Sequence, residues 1–178
     1  MKNILAVVLM LVVSHAFSQT QFTGANECRI RILTDKRDYE FVSMRLEAKL
    51  NDALQRFEFM IPETSIRSLR DSADMNFMRK MMAGASTIVL NAALPGQIDF
   101  AFLKTKSSTD LPGELRIGTY RFEDEVTFGG SMPVDRLYFN VQLYLREGSK
   151  YLASINDEHV LEIEVAARGD RMVGLTSN

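Results

Sequence analysis

The chain has 178 residues, of which 46% are hydrophobic and 25% charged, with 21 Lys and Arg against 23 Asp and Glu. That length carries one domain with a sizeable core. The near-balance of charge, with neither sign concentrated, disfavours nucleic acid as a partner, because phosphates call for clustered uncompensated cations.

The first eighteen residues, MKNILAVVLMLVVSHAFS, place one lysine before an apolar run from Ile4 to Val13 and end in small residues. This pattern predicts a signal peptide over 1–18, processed before Gln19 or Thr20, with the domain running from 19 to 178. The apolar run falls well short of the ~20 residues that cross a bilayer, and no later segment is apolar enough to span. Loss of Lys2 leaves 20 basic against 23 acidic residues, a net charge of 20 − 23 = −3. Periplasmic or secreted localisation is the expectation.

QTQFTGANE follows as a polar lead-in. CRIRILT, YEFVSMRLEAKL and QRFEFMIP then read as strands, with a turn predicted around Asn51 and Asp52. The single cysteine, Cys28, excludes an internal disulfide and is expected to be a buried, inert strand residue. In FEFMIP the period-two rule puts Phe57, Phe59 and Ile61 on one face. LRDSADMNFMRKMM reads as an amphipathic helix over 69–82, in which Leu69, Ala73, Phe77 and Met81 recur every fourth residue with Met78 and Met82 beside them. Asp71 and Asp74 are expected to complement its dipole.

Beyond the helix come STIVLNAAL, a turn at Pro95 and Gly96, and the strand QIDFAFLKTK, with SSTDLPG as a polar loop. Then follow ELRIGTYRFEDEVTF, a turn at GGSMP, VDRLYFNVQLYLRE, a turn at Gly148, KYLASI and EHVLEIEVAAR. In VDRLYFNVQLYLRE, Leu137, Phe139, Val141, Leu143 and Leu145 share one face, and Tyr138, Asn140, Gln142 and Tyr144 the other. One dry face and one wet face, repeated over many strands, predict an all-β antiparallel sheet. Closure removes its edges, so the expected fold is an eight- to ten-stranded lipocalin-like barrel with one helix capping one end.

Catalytic constellations are sparse. After processing only His159 remains, so two imidazoles within one chain are excluded, and no G-x-S-x-G elbow supports a Ser-His-Asp arrangement. Glu123, Asp124 and Glu125, and Glu162 with Glu164, read as solvated strand faces rather than paired catalytic carboxylates. Met75, Met78, Met81 and Met82 could offer thioethers to Cu(I), but methionine also fills irregular gaps and forms a pliable pocket lip. Gly129 and Gly130, followed by Ser131 and Pro133, lack the Lys-Ser/Thr of a phosphate loop.

FEFMIPETSI, the charged LRDSADMNFMRKMM, STIVLNAAL and the closing FNVQLYLREGSKYLASINDEHVLEIEVAAR resemble the YceI-like family over residues 56–168. The sequence departs from the family's pattern at the AGAS segment, Ala83 to Ser86, where relatives have an aromatic and a Tyr-Pro step. The resemblance implies an extended barrel with a helix over one end, a lumen that in some relatives holds a polyisoprenoid chain, and no catalytic residues. The expectation is therefore a non-catalytic binding or carrier protein without a resident cofactor, taking a hydrophobic small molecule such as an isoprenoid or fatty-acyl lipid. Phe57, Phe59, Ile61, Phe139, Val141 and Leu143 would line the lumen, and Phe77, Met78, Met81 and Met82 would gate it. The alternative is a structural or adaptor envelope protein whose barrel is filled by its own side chains.

Overall fold

The computed structural model describes residues 19–22, 26–51, 54, 56–94, 108–131, 136–146, 152–155 and 157–172. Twelve strands form one antiparallel sheet: β1 (Gln19–Phe22), β2 (Glu27–Thr34), β3 (Asp38–Ser43), β4 (Glu47–Asn51), β5 (Arg56–Pro62), β6 (Ile66–Ser68), β7 (Thr87–Ala93), β8 (Ser108–Ile117), β9 (Tyr120–Ser131), β10 (Arg136–Arg146), β11 (Ala153–Ile155) and β12 (Glu158–Met172). Among the described residues there is one α-helix, α1 (Met75–Met82), preceded by 3-10 turns at Glu63–Ser65 and Ser72–Asp74.

Six of the strands are halves of three longer ones. β1 pairs β4 and β2 pairs β3 in nearly continuous register, from Gln19↔Asn51 to Phe22↔Ala48 and then Cys28↔Ser43. Likewise β4 pairs β5 and β3 pairs β6. Counting each broken strand once, the ladder runs β1/β2, β3/β4, β5/β6, β7, β8, β9, β10 and β12, and β12 pairs back onto β2. The sheet is thus a closed lipocalin-like barrel of eight walls, as the alternation predicts.

The three breaks fall side by side, where the wall bends. Between Ser43 and Leu46, both buried, two residues intervene instead of one, and Met44 and Arg45 both turn outward. Side-chain hydrogen bonds hold the bend. The Asn26 amide donates to the Leu46 carbonyl at 3.1 Å, and the Ser43 and Ser65 hydroxyls lie 2.7 Å apart. Ser65 donates to the Pro62 carbonyl at 2.6 Å, while Ser43 accepts from the Arg45 N–H at 3.2 Å. Each such bond contributes about 1 kcal/mol net, but leaving a buried partner unmatched costs more.

Inside, large side chains oppose small ones. Phe57 stands across from Ala92, Phe59 from Ala48, Val141 from Ala167 and Phe139 from Gly169. The Phe57 ring stacks on Phe128 at 4.5 Å between centroids, and Phe59 meets Phe57 at 6.0 Å and Phe139 at 5.5 Å. The result is one core cluster joining all eight walls and α1. Cys28 lies in it, buried in β2 as expected.

Several elements differ from the sequence reading. The helix spans only 75–82, because the Ser68 hydroxyl accepts the Arg70 and Asp71 N–H groups and Asp71 accepts that of Ala73, so side chains capture the backbone before an α-turn begins. Leu69 and Ala73 are exposed accordingly. Asp74 does more than face a dipole: its buried carboxylate pairs with Arg37 at 2.6 Å and accepts from Ser68. The described part of SSTDLPG, Ser108 to Gly113, is not a loop but the start of β8; among the described residues the β7 ladder reaches only Gly113, so Pro112 stands where one side needs no donor. Gly129 to Ser131 end β9 rather than form a turn, and the Gln19–Phe22 part of the lead-in is strand β1. Asn51 belongs to β4, and ELRIGTYRFEDEVTF splits at Gly118 and Thr119 into β8 and β9. The expected signal peptide, the turn at Pro95, the strand QIDFAFLKTK and the turn at Gly148 lie outside the described residues, as does the Leu137 side chain.

Gly118 fixes the helix to the barrel. Its φ of +60° is left-handed, and a Cβ there would collide with the carbonyl oxygens of Met81 and Met82. Gly118→Ala is expected to destabilise the fold by about 2 kcal/mol through strain and displacement of α1. Urea unfolding followed by circular dichroism measures it; an unchanged midpoint would show that α1 does not rest on this turn.

Candidate functional site

The ten residues expected to line or gate a lumen all face inward. Phe57, Phe59, Phe139, Val141 and Leu143 gather with Phe128 in the middle of the barrel, and Ile61 lies along β5 across from Ile88. Phe77, Met78, Met81 and Met82 close the helix end. There the Phe77 ring stacks on Tyr39 at 4.1 Å, and the Arg37 guanidinium lies over the Tyr39 ring, 4.7 Å from its centroid. Sequence reasoning left out Phe128, Tyr39, Phe41, Ile32 and Val165, although each follows the same period-two rule in its own strand.

Exposure of these ten side chains runs only from 0 to 6%. Little room for water remains against them, so the space they enclose is filled by side chains. The methionines are part of that filling: Met78, Met81 and Met82 are 0 to 1% exposed and lie under the Gly118 turn. The helix end is therefore sealed in this packing rather than a gate standing open.

The opposite end has an open cleft of about 700 Å³. It lies across the row Ser108↔Gly129↔Asn140↔Arg168↔Glu27, with Gly130, Phe139 and Gly169 in the next row. Glycines strip the wall of side chains here. Phe139, an inward-facing residue that also lines the cleft, packs on Phe59, and the ring contacts continue through Phe57 to Phe128. Its charges are tied up: Glu27 pairs with Arg29 at 3.0 Å and Arg168 at 2.7 Å, and these bonds hold the Glu27 carboxyl below the usual carboxylate range, Arg168 first and Arg29 second. Gly129, Gly130 and Ser131, read from sequence as a turn, are the signal that could have found the cleft.

The remaining candidates stay on the outer wall. Glu123, Asp124 and Glu125 are exposed, with Arg121 bridging Glu114 at 2.5 Å and Glu123 at 2.8 Å. Glu162 pairs with Arg146 at 3.2 Å, and Glu164 accepts from Gln142 at 3.1 Å. The half-buried His159 lies 3.0 Å from the Ser154 hydroxyl through Nδ1, a cross-strand pair between β11 and β12. Among the described residues no three His, Cys, Asp or Glu side chains gather where they could hold a metal ion, and no helix is long and apolar enough to cross a membrane.

This architecture is a lipocalin-type barrel with one short helix sealing one end. Two solved structures share it. One is a polyisoprenoid-binding domain from Saccharophagus degradans, implicated in plant cell wall breakdown, with a TM-score of 0.59 at 11% identity over 88% of this chain and 99% of that one. The other is BcnA from Burkholderia cenocepacia, with a TM-score of 0.54 at 12% identity over 82% of this chain and 96% of that one. The resemblance read in the sequence is thus a likeness of fold. No family model matches the chain, and no curated protein does.

Burial pushes the Cys28 thiol up from its ordinary value of about 9 to about 12, and the Glu27 charge adds to this. Because the folded value is raised, its contribution is complete below about pH 9; between 9 and 12 the unfolded chain loses a proton that the folded one keeps, and stability falls. A thiol-specific reagent at pH 8 is expected to label Cys28 only after unfolding. Labelling at the same rate before and after denaturant would contradict this placement.

Proposed function

We propose that the chain is a non-catalytic, exported binding protein for a lipid-like molecule, taken into the barrel through the glycine-floored cleft. The observation that carries this reading is that Phe139 both lines the open cleft and packs on Phe59 in the phenyl stack, at a place where Gly129, Gly130 and Gly169 leave the wall without side chains. The fold of a domain whose solved structure is described as polyisoprenoid-binding supports it. The ligand's apolar tail would displace flexible Phe and Met side chains. Repacking a filled core costs about 1–3 kcal/mol, whereas each buried CH₂ contributes about 0.8 kcal/mol, so a tail of about ten carbons outweighs the repacking before ordering costs.

A second reading is favoured by the filled interior: a structural or adaptor envelope domain that acts through its outer wall. The two differ in what solution binding shows. Titration with a fluorescent prenyl or fatty-acyl probe, together with native mass spectrometry, is expected to give saturable one-to-one binding. Ser131→Trp, which puts an indole into the cleft from a half-buried rim position, is expected to weaken uptake about tenfold with an unchanged melting temperature. Absence of saturable binding to the wild type would leave the filled-barrel reading in its place.

A further inference from the structure

Outside the barrel, the segment that leaves β5 and enters α1 folds around an open pocket of about 530 Å³. Arg67 on β6, Arg70 on the following bend and Arg79 on α1 line it, with the hydroxyls of Thr64, Ser68 and Ser72, and Met75 supplies an apolar patch. The three guanidiniums are not equivalent. Arg70 is committed to Glu40 at 2.9 Å and Asp38 at 3.4 Å on β3. Among the described residues neither Arg67 nor Arg79 has an ion-pair partner; the Arg79 guanidinium is oriented by Asn76 at 3.2 Å, one turn earlier on the helix.

Two carboxylates also border the pocket. Asp71 turns one oxygen to the Ala73 N–H at 2.8 Å, and Glu63 lies beyond ion-pair distance of the described arginines. Among the described residues the pocket therefore holds two guanidiniums without an ion-pair partner beside two carboxylates, Glu63 and Asp71, neither of which lies within ion-pair distance of them. Its frame is fixed in advance: Ser68 accepts two backbone N–H groups and donates to Asp74, the Leu69 N–H donates to the Glu40 carbonyl at 2.9 Å, and buried Asp74 is held by Arg37. Guanidinium forks match oxyanions in bidentate geometry, and a fixed frame lowers the ordering cost of using them.

We propose that this pocket binds a small organic oxyanion, a phosphate ester carrying hydroxyl groups, with Arg67 and Arg79 on the oxyanion, Thr64 and Ser72 on the hydroxyls and Met75 against the carbon frame. The volume exceeds what a bare phosphate fills, and the hydroxyl lining suits a polyol. The site is on the outer wall and does not depend on lipid uptake.

The test is amide NMR titration of the full chain at low salt with glucose 6-phosphate, inorganic phosphate and glucose. Glucose 6-phosphate is expected to shift the Arg67, Ser68, Ser72 and Arg79 amides saturably and to bind more tightly than inorganic phosphate, and glucose to leave them unmoved. The double variant Arg67→Gln, Arg79→Gln is expected to lose at least about tenfold in affinity, with the same melting temperature and the same lipid-probe titration as the wild type. Equal shifts with glucose, no saturable shift with either phosphate, or an undiminished affinity in the double variant would each overturn the proposal.

Discussion

Once β12 pairs with β2, every inward side chain must share one enclosed space with those of the other walls, and the sheet cannot relieve a misfit by splaying. The residues answer this constraint pairwise. On one of its two sides Phe57 faces Ala92, Phe59 faces Ala48 and Phe139 faces Gly169, so each ring has one cross-strand partner small enough to leave it room, while Leu50 and Leu90 are the register partners of Phe57 and Phe59 on the other side. Close packing follows from the pairing rather than from any one strongly apolar segment. The same closure places the polar half of each strand outside, where Arg121, Arg146 and Arg168 bridge acids on neighbouring strands. Such exposed pairs contribute little to stability, but they fill an outer face that would otherwise invite association.

A ring of eight walls still has to bend, and the bend divides the molecule functionally. Asn26, Ser43 and Ser65 mark it on three adjacent walls, each burying a polar group because the strand there cannot offer its regular ladder. On one side of this belt lie α1, the Gly118 turn and the Tyr39–Glu158 and Arg37–Asp74 contacts, which together seal the end. Beyond the other side, glycines replace side chains along β9, β10's neighbour β12 and the rim above Phe139. Sealing one end with methionine and aromatic rings while thinning the wall at the other gives the barrel a direction.

The sequence made the inward and outward faces legible wherever a strand alternates cleanly, as in Phe57–Phe59–Ile61 and Phe139–Val141–Leu143. It also exposed the helix by its apolar spacing, but overran its start by six residues. The cause is local: Ser68 and Asp71 capture backbone N–H groups that an extended helix would need, a competition that apolar spacing cannot register. β8 was hidden because Pro112 and Gly113 imitate a turn, and only the partner strand's length shows that Pro112 is tolerated. Filling was likewise invisible. Face parity says which residues point inward; it does not say whether their volumes meet, which depends on the cross-strand register.

At 11 and 12% identity to the two matching structures, what is shared is the fold, which does not require particular residues. On the proposed readings, ligand choice would rest on what lies at the ends and on the outer wall. The two candidate sites here are chemically opposite, one apolar behind a neutralised rim and the other cationic and hydroxyl-lined. They are nevertheless carried by one continuous length of chain, since β5, which presents Phe57 and Phe59 inward, runs through Glu63–Ser65 directly into β6, which presents Arg67 outward. If a lipid tail shifts β5 on entering, the change reaches Arg67 through a rigid, hydrogen-bonded bend. Linkage then requires the effect to be reciprocal: whatever factor the lipid imposes on oxyanion affinity, the oxyanion imposes on lipid affinity. A barrel whose core does not move would show a factor of one in both directions, so the magnitude of this coupling reports how far the filled interior yields to a ligand.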